Sequence, residues 1–166
     1  MIPKTLKNFN LFVDGRGYAG RVEELTLPKL SIKTEEIRTG GMDAPVELDM
    51  GIEKLECDLN IAEYDVDIIA LFGLENGAQV PLTLRGGLDG EDGVVPVVVT
   101  LRGAWRALDF GNWKAGEKAP LKVSVALRYY RLEIGARELI EIDAINMVRK
   151  IDGKDQLQAM RSALGI

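Results

Sequence analysis

The sequence predicts a mainly β fold of packed antiparallel sheets, sandwich- or barrel-like, with one short internal helix and a short C-terminal helix. Three observations predict it. Apolar residues recur at every second position through most of the chain, as in Val46, Leu48, Met50 and Ile52 or Leu121, Val123, Val125 and Leu127. That period belongs to a strand with one buried face. Helical spacing is confined to two short places. Glycine-rich or polar turns separate the alternating runs, which number about seven to nine by the spacing rules for all-β domains.

In order along the chain, residues 10–14 form a short strand closed by the turn Asp14-Gly15-Arg16-Gly17. A second strand runs from Val22 past Leu25, Leu27, Leu30 and Ile32. Its apolar phase changes at Pro28, which predicts a bulge or bend there. Residues 39–43 make a flexible turn. The next strand, residues 46–61, sets Glu47, Asp49 and Glu53 against Val46, Leu48 and Met50. Its phase slips before Leu55, Cys57 and Leu59, and Gly51 lets it bend. Ile68, Ile69, Leu71 and Phe72 fit a short helix within residues 64–74. Asp65 and Asp67 favour its positive end, and Gly73 with Leu74 stops it. Strands resume at Val80, Leu82 and Leu84, then at Val95 through Leu101 and on to Trp105. Residues 112–118 are a loop. Another strand runs from Leu121 to Tyr129 and slips phase into Tyr130, Leu132 and Ile134. Residues 139–145 offer one more short strand. Leu157, Met160 and Leu164 repeat at helical spacing, with Gly165 as a stop.

Composition excludes several kinds of chemistry. The 166 residues contain no histidine, which removes Ser-His-Asp and Cys-His catalysis and imidazole metal ligation. The single cysteine, Cys57, cannot form a disulfide within the chain, and its place between Leu55 and Leu59 makes it a small buried hydrophobe. A net charge of −5 argues against a conventional nucleic-acid binder. No signal peptide or membrane-length apolar run is visible, so synthesis and folding in the cytoplasm with no membrane anchor are expected.

Two patterns imitate functional sites. Gly15-Arg16-Gly17-Tyr18-Ala19-Gly20 matches the glycine spacing of a dinucleotide loop. Such a loop needs a helix opening at its glycines to hold the pyrophosphate, and residues 21–28 read as strand. The glycines are therefore turn residues. The carboxylates Glu47, Asp49, Glu53, Glu56 and Asp58 are spread along one strand without a marked pair, which fits a solvated face better than a glycosidase site. Asp65 and Asp67 lack calcium-loop spacing. No catalytic, cofactor or metal site emerges.

Charge is segregated. Residues 35–67 hold 11 acids and two bases; residues 96–137 hold eight bases and three acids. Within a monomer the two blocks neutralise one another; between subunits they form complementary surfaces that set register. Long strands also need partners at their edges, and a ring of copies supplies them.

Several blocks then resemble the major tail tube proteins of contractile-tailed bacteriophages and of R-type pyocins. They are Met1-Ile2-Pro3-Lys4-Thr5-Leu6, Asn10-Leu11-Phe12-Val13-Asp14-Gly15, Leu25-Thr26-Leu27-Pro28-Lys29-Leu30, Lys33-Thr34-Glu35 and Gly40-Gly41-Met42-Asp43-Ala44-Pro45-Val46. Further along come Phe72-Gly73-Leu74, Pro96-Val97-Val98-Val99-Thr100-Leu101-Arg102-Gly103 and Trp113-Lys114-Ala115-Gly116-Glu117-Lys118-Ala119. Tyr129-Tyr130, Glu141-Ile142-Asp143 and Asp152-Gly153-Lys154-Asp155-Gln156-Leu157 complete the series. The resemblance implies one tail tube domain over residues 1–166. It implies hexameric rings whose inner strands join into a continuous barrel, stacked head to tail. The tube would enclose a tape-measure protein, lie inside a contractile sheath, stand on a baseplate and let DNA pass without specific binding. That places the protein in a virion tail or phage-like particle assembled in the host cytoplasm. The hairpin of residues 33–46, with Thr39, Gly40, Gly41, Met42 and Asp43 at its turn, is the expected inter-subunit contact. Glu47, Asp49 and Glu53 are the expected lumen lining, because a basic wall would trap a polyanion and an acidic one would let it slide. The alternative is a monomeric β-barrel that binds a small ligand; an enzyme on a β-sandwich would need a clustered site that the residues do not offer.

Overall fold

The computed structural model describes residues 2–73, 77 and 79–166. Leu74, expected beside Gly73 at the end of the internal helix, and Met1, the first residue of the resembling blocks, lie outside them.

Among the described residues twelve strands and two short helices follow one another, and each strand pairs antiparallel with its neighbours. Two long strands organise the rest: β8 (Gly93–Asp109, 17 residues) and β9 (Leu121–Ile134, 14 residues). Their apolar faces, Val99, Leu101 and Trp105 on one and Leu121, Val123, Val125 and Leu127 on the other, are buried throughout. Neither strand stays in one sheet. The first half of β9 pairs with β6 (Leu55–Ile61), and the second half pairs with β10 (Arg137–Asp143). On the other side, β8 gives its first half to β7 (Val80–Gly90). Beyond β7 lie β1 (Thr5–Val13) and the two-residue β2 (Arg16–Gly17); beyond β10 lie β11 (Val148–Ile151) and the two-residue β12 (Lys154–Asp155).

The result is a broad sheet, β11-β10-β9-β8-β7-β1, folded over a smaller four-stranded one made of β3 (Val22–Thr26), β6 and the remaining halves of β9 and β8. Leu11, Leu82 and Leu101 from the first meet Leu59, Ile61 and Val123 from the second in one core. The change of sheet falls where the β8–β9 register shifts, between Arg102 and Gly103 and again between Trp105 and Ala107. Gly103 is required there: a Cβ would lie 2.4 Å from the Ala126 carbonyl oxygen.

The expected bend at Pro28 is a full break. β3 ends at Thr26, and β4 (Ile32–Ile37) belongs to a separate two-stranded sheet with β5 (Val46–Ile52). The expected phase slip after Gly51 is the matching break on the return strand, with residues 53–54 between β5 and β6. Gly51 has φ +105°, inside the irregular register between β4 and β5, a conformation that side chains resist. The β4–β5 hairpin is therefore an arm set apart from the main sheets.

The internal helix is shorter than expected. Only Val66–Ile69 is helical (α1), capped by Asp65, whose Oδ1 accepts from the N–H groups of Asp67 (2.9 Å) and Ile68 (3.1 Å). Phe72 leaves the helix and bridges to Trp105 instead. Trp105 fixes this segment, because its buried indole Nε1 donates to the Ile68 carbonyl at 2.8 Å. The C-terminal helix (α2, Gln158–Leu164) ends at Gly165 as the spacing predicts. Two short strands, β11 and β12, carried no alternation long enough to be read.

Candidate functional site

The arm shows almost all of its surface. Every residue of β4 is exposed, as are the first five of β5. Cross-strand register places Ile37 opposite Val46 and Glu35 opposite Leu48, and between them Glu36 opposite Glu47. One face is thus an apolar stripe of Ile37, Val46 and Leu48 with Glu35, and the other sets two carboxylates against each other. Like charges directly opposite oppose pairing, and an isolated two-stranded hairpin is marginal in water. The tip is locally ordered: the Met42 N–H donates to the Thr39 carbonyl (3.1 Å), and the Thr39 hydroxyl and N–H both reach the Met42 sulfur. Gly40, Gly41 and Asp43 complete this exposed turn.

The arm's root is tied to the body. The Glu53 N–H donates to the Ser31 carbonyl at 2.9 Å. The buried Arg149 of β11 donates Nη2 to Asp49 Oδ2 at 2.6 Å. That bond, with the Gly51 N–H, holds the Asp49 carboxyl below the usual carboxylate range. Asp49, though itself exposed, is therefore tied to the body, whereas Glu47 and Glu53 are exposed with no ion pair among the described residues. Beneath the root lies a groove of about 770 Å³ between β5, the β10–β11 turn and α2, with Ile52, Leu127, Ile142, Val148, Leu157 and Met160 in its walls. Arg161 fastens α2 beside it through Asp155 and the Met147 carbonyl (2.8 Å).

The outer face of the four-stranded sheet is polar. Glu24, Glu56, Asp58 and Asn60 stand on β3 and β6; Lys122 and Ser124 on β9; Arg106 on β8. Arg106 Nη2 donates to both Glu56 Oε2 and Ser124 Oγ at 2.7 Å, which holds the Glu56 carboxyl below its ordinary value. Both lateral edges of this sheet lack a full partner among the described residues. β3 has β6 on one side only, and the last part of β8 carries no strand beyond β9 except the single bridge to Phe72.

At the end of this sheet opposite the arm, residues 110–120 join β8 to β9. Trp113 there is 82% exposed, yet its Nε1 donates to the Tyr64 hydroxyl at 2.9 Å. The Tyr64 hydroxyl donates in turn to the Phe110 carbonyl, and the two rings meet edge to face with centroids 5.5 Å apart. The sequence showed this stretch as a loop and as one of the resembling blocks; a tryptophan among glycines and lysines was the signal available.

Nothing in this arrangement resembles a reaction centre. Among the described residues no group of three or more His, Cys, Asp or Glu is placed to hold a metal. Burial pushes the Cys57 thiol up to about 12, so it stays protonated and unreactive. What the surfaces offer is unfinished sheet and exposed apolar strand.

Known proteins give this a context. Residues 3–165 match the family described as phage tail tube protein FII. The tail tube protein of Escherichia phage P2 is 35% identical over 170 residues, 99% of each chain. The major tail tube protein of Serratia phage KSP20 is 30% identical, over 99% of this chain and 98% of that one. Among solved structures, a chain from the sheath–tube complex of an extracellular contractile injection system, in its extended state, aligns with TM-score 0.61. It is 13% identical and covers 79% of this chain and 91% of that one.

Proposed function

The chain belongs to the phage tail tube protein FII family, and on that premise we propose that it forms hexameric rings, stacked head to tail, as the inner tube of a contractile tail. A tail tube protein is structural, not an enzyme, and the work it does is assembly.

The observation that carries the proposal is the pair of open edges on the four-stranded sheet. The β3 edge of one copy pairs with the β8 edge of the next, and repetition round a ring leaves no edge open. Hexameric closure joins about 24 strands; at about 4.8 Å spacing and a tilt of about 40° these make a barrel about 50 Å across its backbone, wide enough to pass duplex DNA. The face turned to the axis is then the polar one. Glu24, Glu56 and Asp58 make it acidic, only partly offset by Arg106 and Lys122, and Glu53 continues it at the arm root. A wall of this sign repels DNA weakly and leaves it free to slide, since few phosphate contacts with lysine or arginine are available. In this reading Glu47 and Asp49 belong to the arm: Asp49 serves Arg149, and Glu47 lies along the hairpin whose tip, Thr39 to Asp43, reaches a neighbouring copy. The opposite face, on the broad sheet, is turned outward toward a sheath. A tape-measure protein inside and a baseplate below complete the expected partners, in a virion tail assembled in the host cytoplasm.

Native mass spectrometry with negative-stain microscopy of the purified chain tests this. Hexamers, rings or tubes are expected. A chain that stays monomeric at high concentration would instead favour a small-ligand binding module.

A further inference from the structure

The two ends of the four-stranded sheet carry different unpartnered surfaces. Pairing of β6 with β9 fixes the ends: Leu55 and Leu127 lie at one, Ile61 and Leu121 at the other. The arm departs from the first. The second carries Trp113, an anchor whose indole is pinned by Tyr64 while 82% of its surface stays open to solvent. A large aromatic side chain held in place in advance gives up little freedom on binding, and such residues dominate interface energetics.

The arm supplies what this anchor lacks. Its stripe of Ile37, Val46 and Leu48 has no cover among the described residues, and Glu35 shares that face, opposite Leu48. Glu35 makes no ion pair among the described residues. Lys114 and Lys118, on either side of Ala115 and Gly116, are engaged only in exposed pairs with Glu117 (3.5 Å) and Glu23 (3.4 Å), which exchange easily. The signs match: the hairpin is acidic, and the loop carries two lysines against one glutamate.

Resting on the stacked-ring reading above, we propose that the arm of one copy lies on the Trp113 cluster of a second copy in the next ring. Ile37, Val46 and Leu48 cover Trp113 and Phe110, and Glu35 meets Lys114 or Lys118. Head-to-tail stacking brings these opposite ends of the sheet together. The contact gives the arm the partner that a lone hairpin needs, and it couples ring to ring through one aromatic anchor per subunit.

Three measurements on the full chain test it. Trp113→Ala should leave rings intact and abolish tubes, with Trp113→Phe retaining them; the residue is exposed, so folding is not at stake. Wild-type tryptophan emission should shift to the blue on passing from rings to tubes, and Trp113→Phe, which keeps only the buried Trp105, should show no shift. Leu48→Cys combined with Ala115→Cys, oxidised in tubes, should give a ladder of disulfide-linked chains that is missing from isolated rings; buried Cys57 does not interfere. Full-length tubes from Trp113→Ala, or a ladder formed equally in isolated rings, would overturn the contact while leaving the rings standing. No rings from the wild-type chain would overturn both.

Discussion

Gly103→Ala tests how the chain divides one long hairpin between two sheets. At Gly103 the β8 strand crosses so close to β9 that a Cβ would sit 2.4 Å from the Ala126 oxygen, 2.9 Å from Leu127 Cδ2 and 3.0 Å from Leu127 Cα. Two of those atoms are backbone in a paired strand, so relief requires opening the β8–β9 ladder. Overpacking of this kind costs about 1–3 kcal/mol, and one weakened ladder bond adds about 1 kcal/mol, giving about 2–4 kcal/mol in all. For a chain of this length that lowers Tm by about 4–16 °C. Gly90→Ala is the control. There the Cβ would lie 2.6 Å from Lys4 Cγ, an overlap nearly as close on paper. Lys4 is exposed and its side chain swings away, so stability should stay within about 1 kcal/mol of wild type. Urea unfolding at dilutions that keep the protein monomeric gives both values without the concentration dependence that assembly brings. Equal stability for the two variants would refute the claim that β8 and β9 are pressed together where they change sheets.

Other consequences are open to simple assays. Trp105→Phe removes the indole bond to the Ile68 carbonyl, which keeps the Leu71 N–H, and leaves a gap in the core; a loss of about 2–3 kcal/mol is expected in the same unfolding assay. Cys57, 1% exposed and with its thiol pushed up to about 12, should resist alkylation at pH 8 in the native protein and react at once in urea. The carboxyls of Asp49 and Asp155 lie below their ordinary range because Arg149 and Arg161 bind the charged forms. Their contribution is whole above the unfolded carboxylate value and fades as pH falls through the depressed folded value. Amide protection factors, taken relative to the intrinsic exchange rate at each pH, should therefore fall in α2 and at the arm root on acidification below about pH 4, ahead of the β8–β9 core.

Much of this molecule was legible as periodicity. The alternation of Leu121, Val123, Val125 and Leu127 read directly as a buried strand face, and the slip at Tyr130 marked where β9 exchanges β6 for β10. The slips at Pro28 and Gly51 were visible too, but their meaning was not. A phase change says only that side chains switch faces, and a bulge and a departure from the sheet give the same local signal. Only pairing partners, set by residues distant in sequence, separate the two. Helix α1 was overread because Leu71 and Phe72 keep helical spacing although Phe72 serves a strand-like contact with Trp105. Asp49 looked like its exposed neighbours Glu47 and Glu53; its tie to Arg149 spans 100 positions and leaves no local trace. Trp113 was seen as part of a loop and of a resembling block but not as an anchor, since sequence alone does not tell a buried tryptophan from a displayed one.

A cryo-microscopy map of the assembled chain bears most directly on whether identical copies complete one another's sheets. A continuous barrel is expected, with β3 of each subunit hydrogen-bonded to β8 of its neighbour and Glu56 and Asp58 facing the axis. Rings held together by loops alone, with gaps between four-stranded sheets or with those carboxylates on the outside, would contradict it.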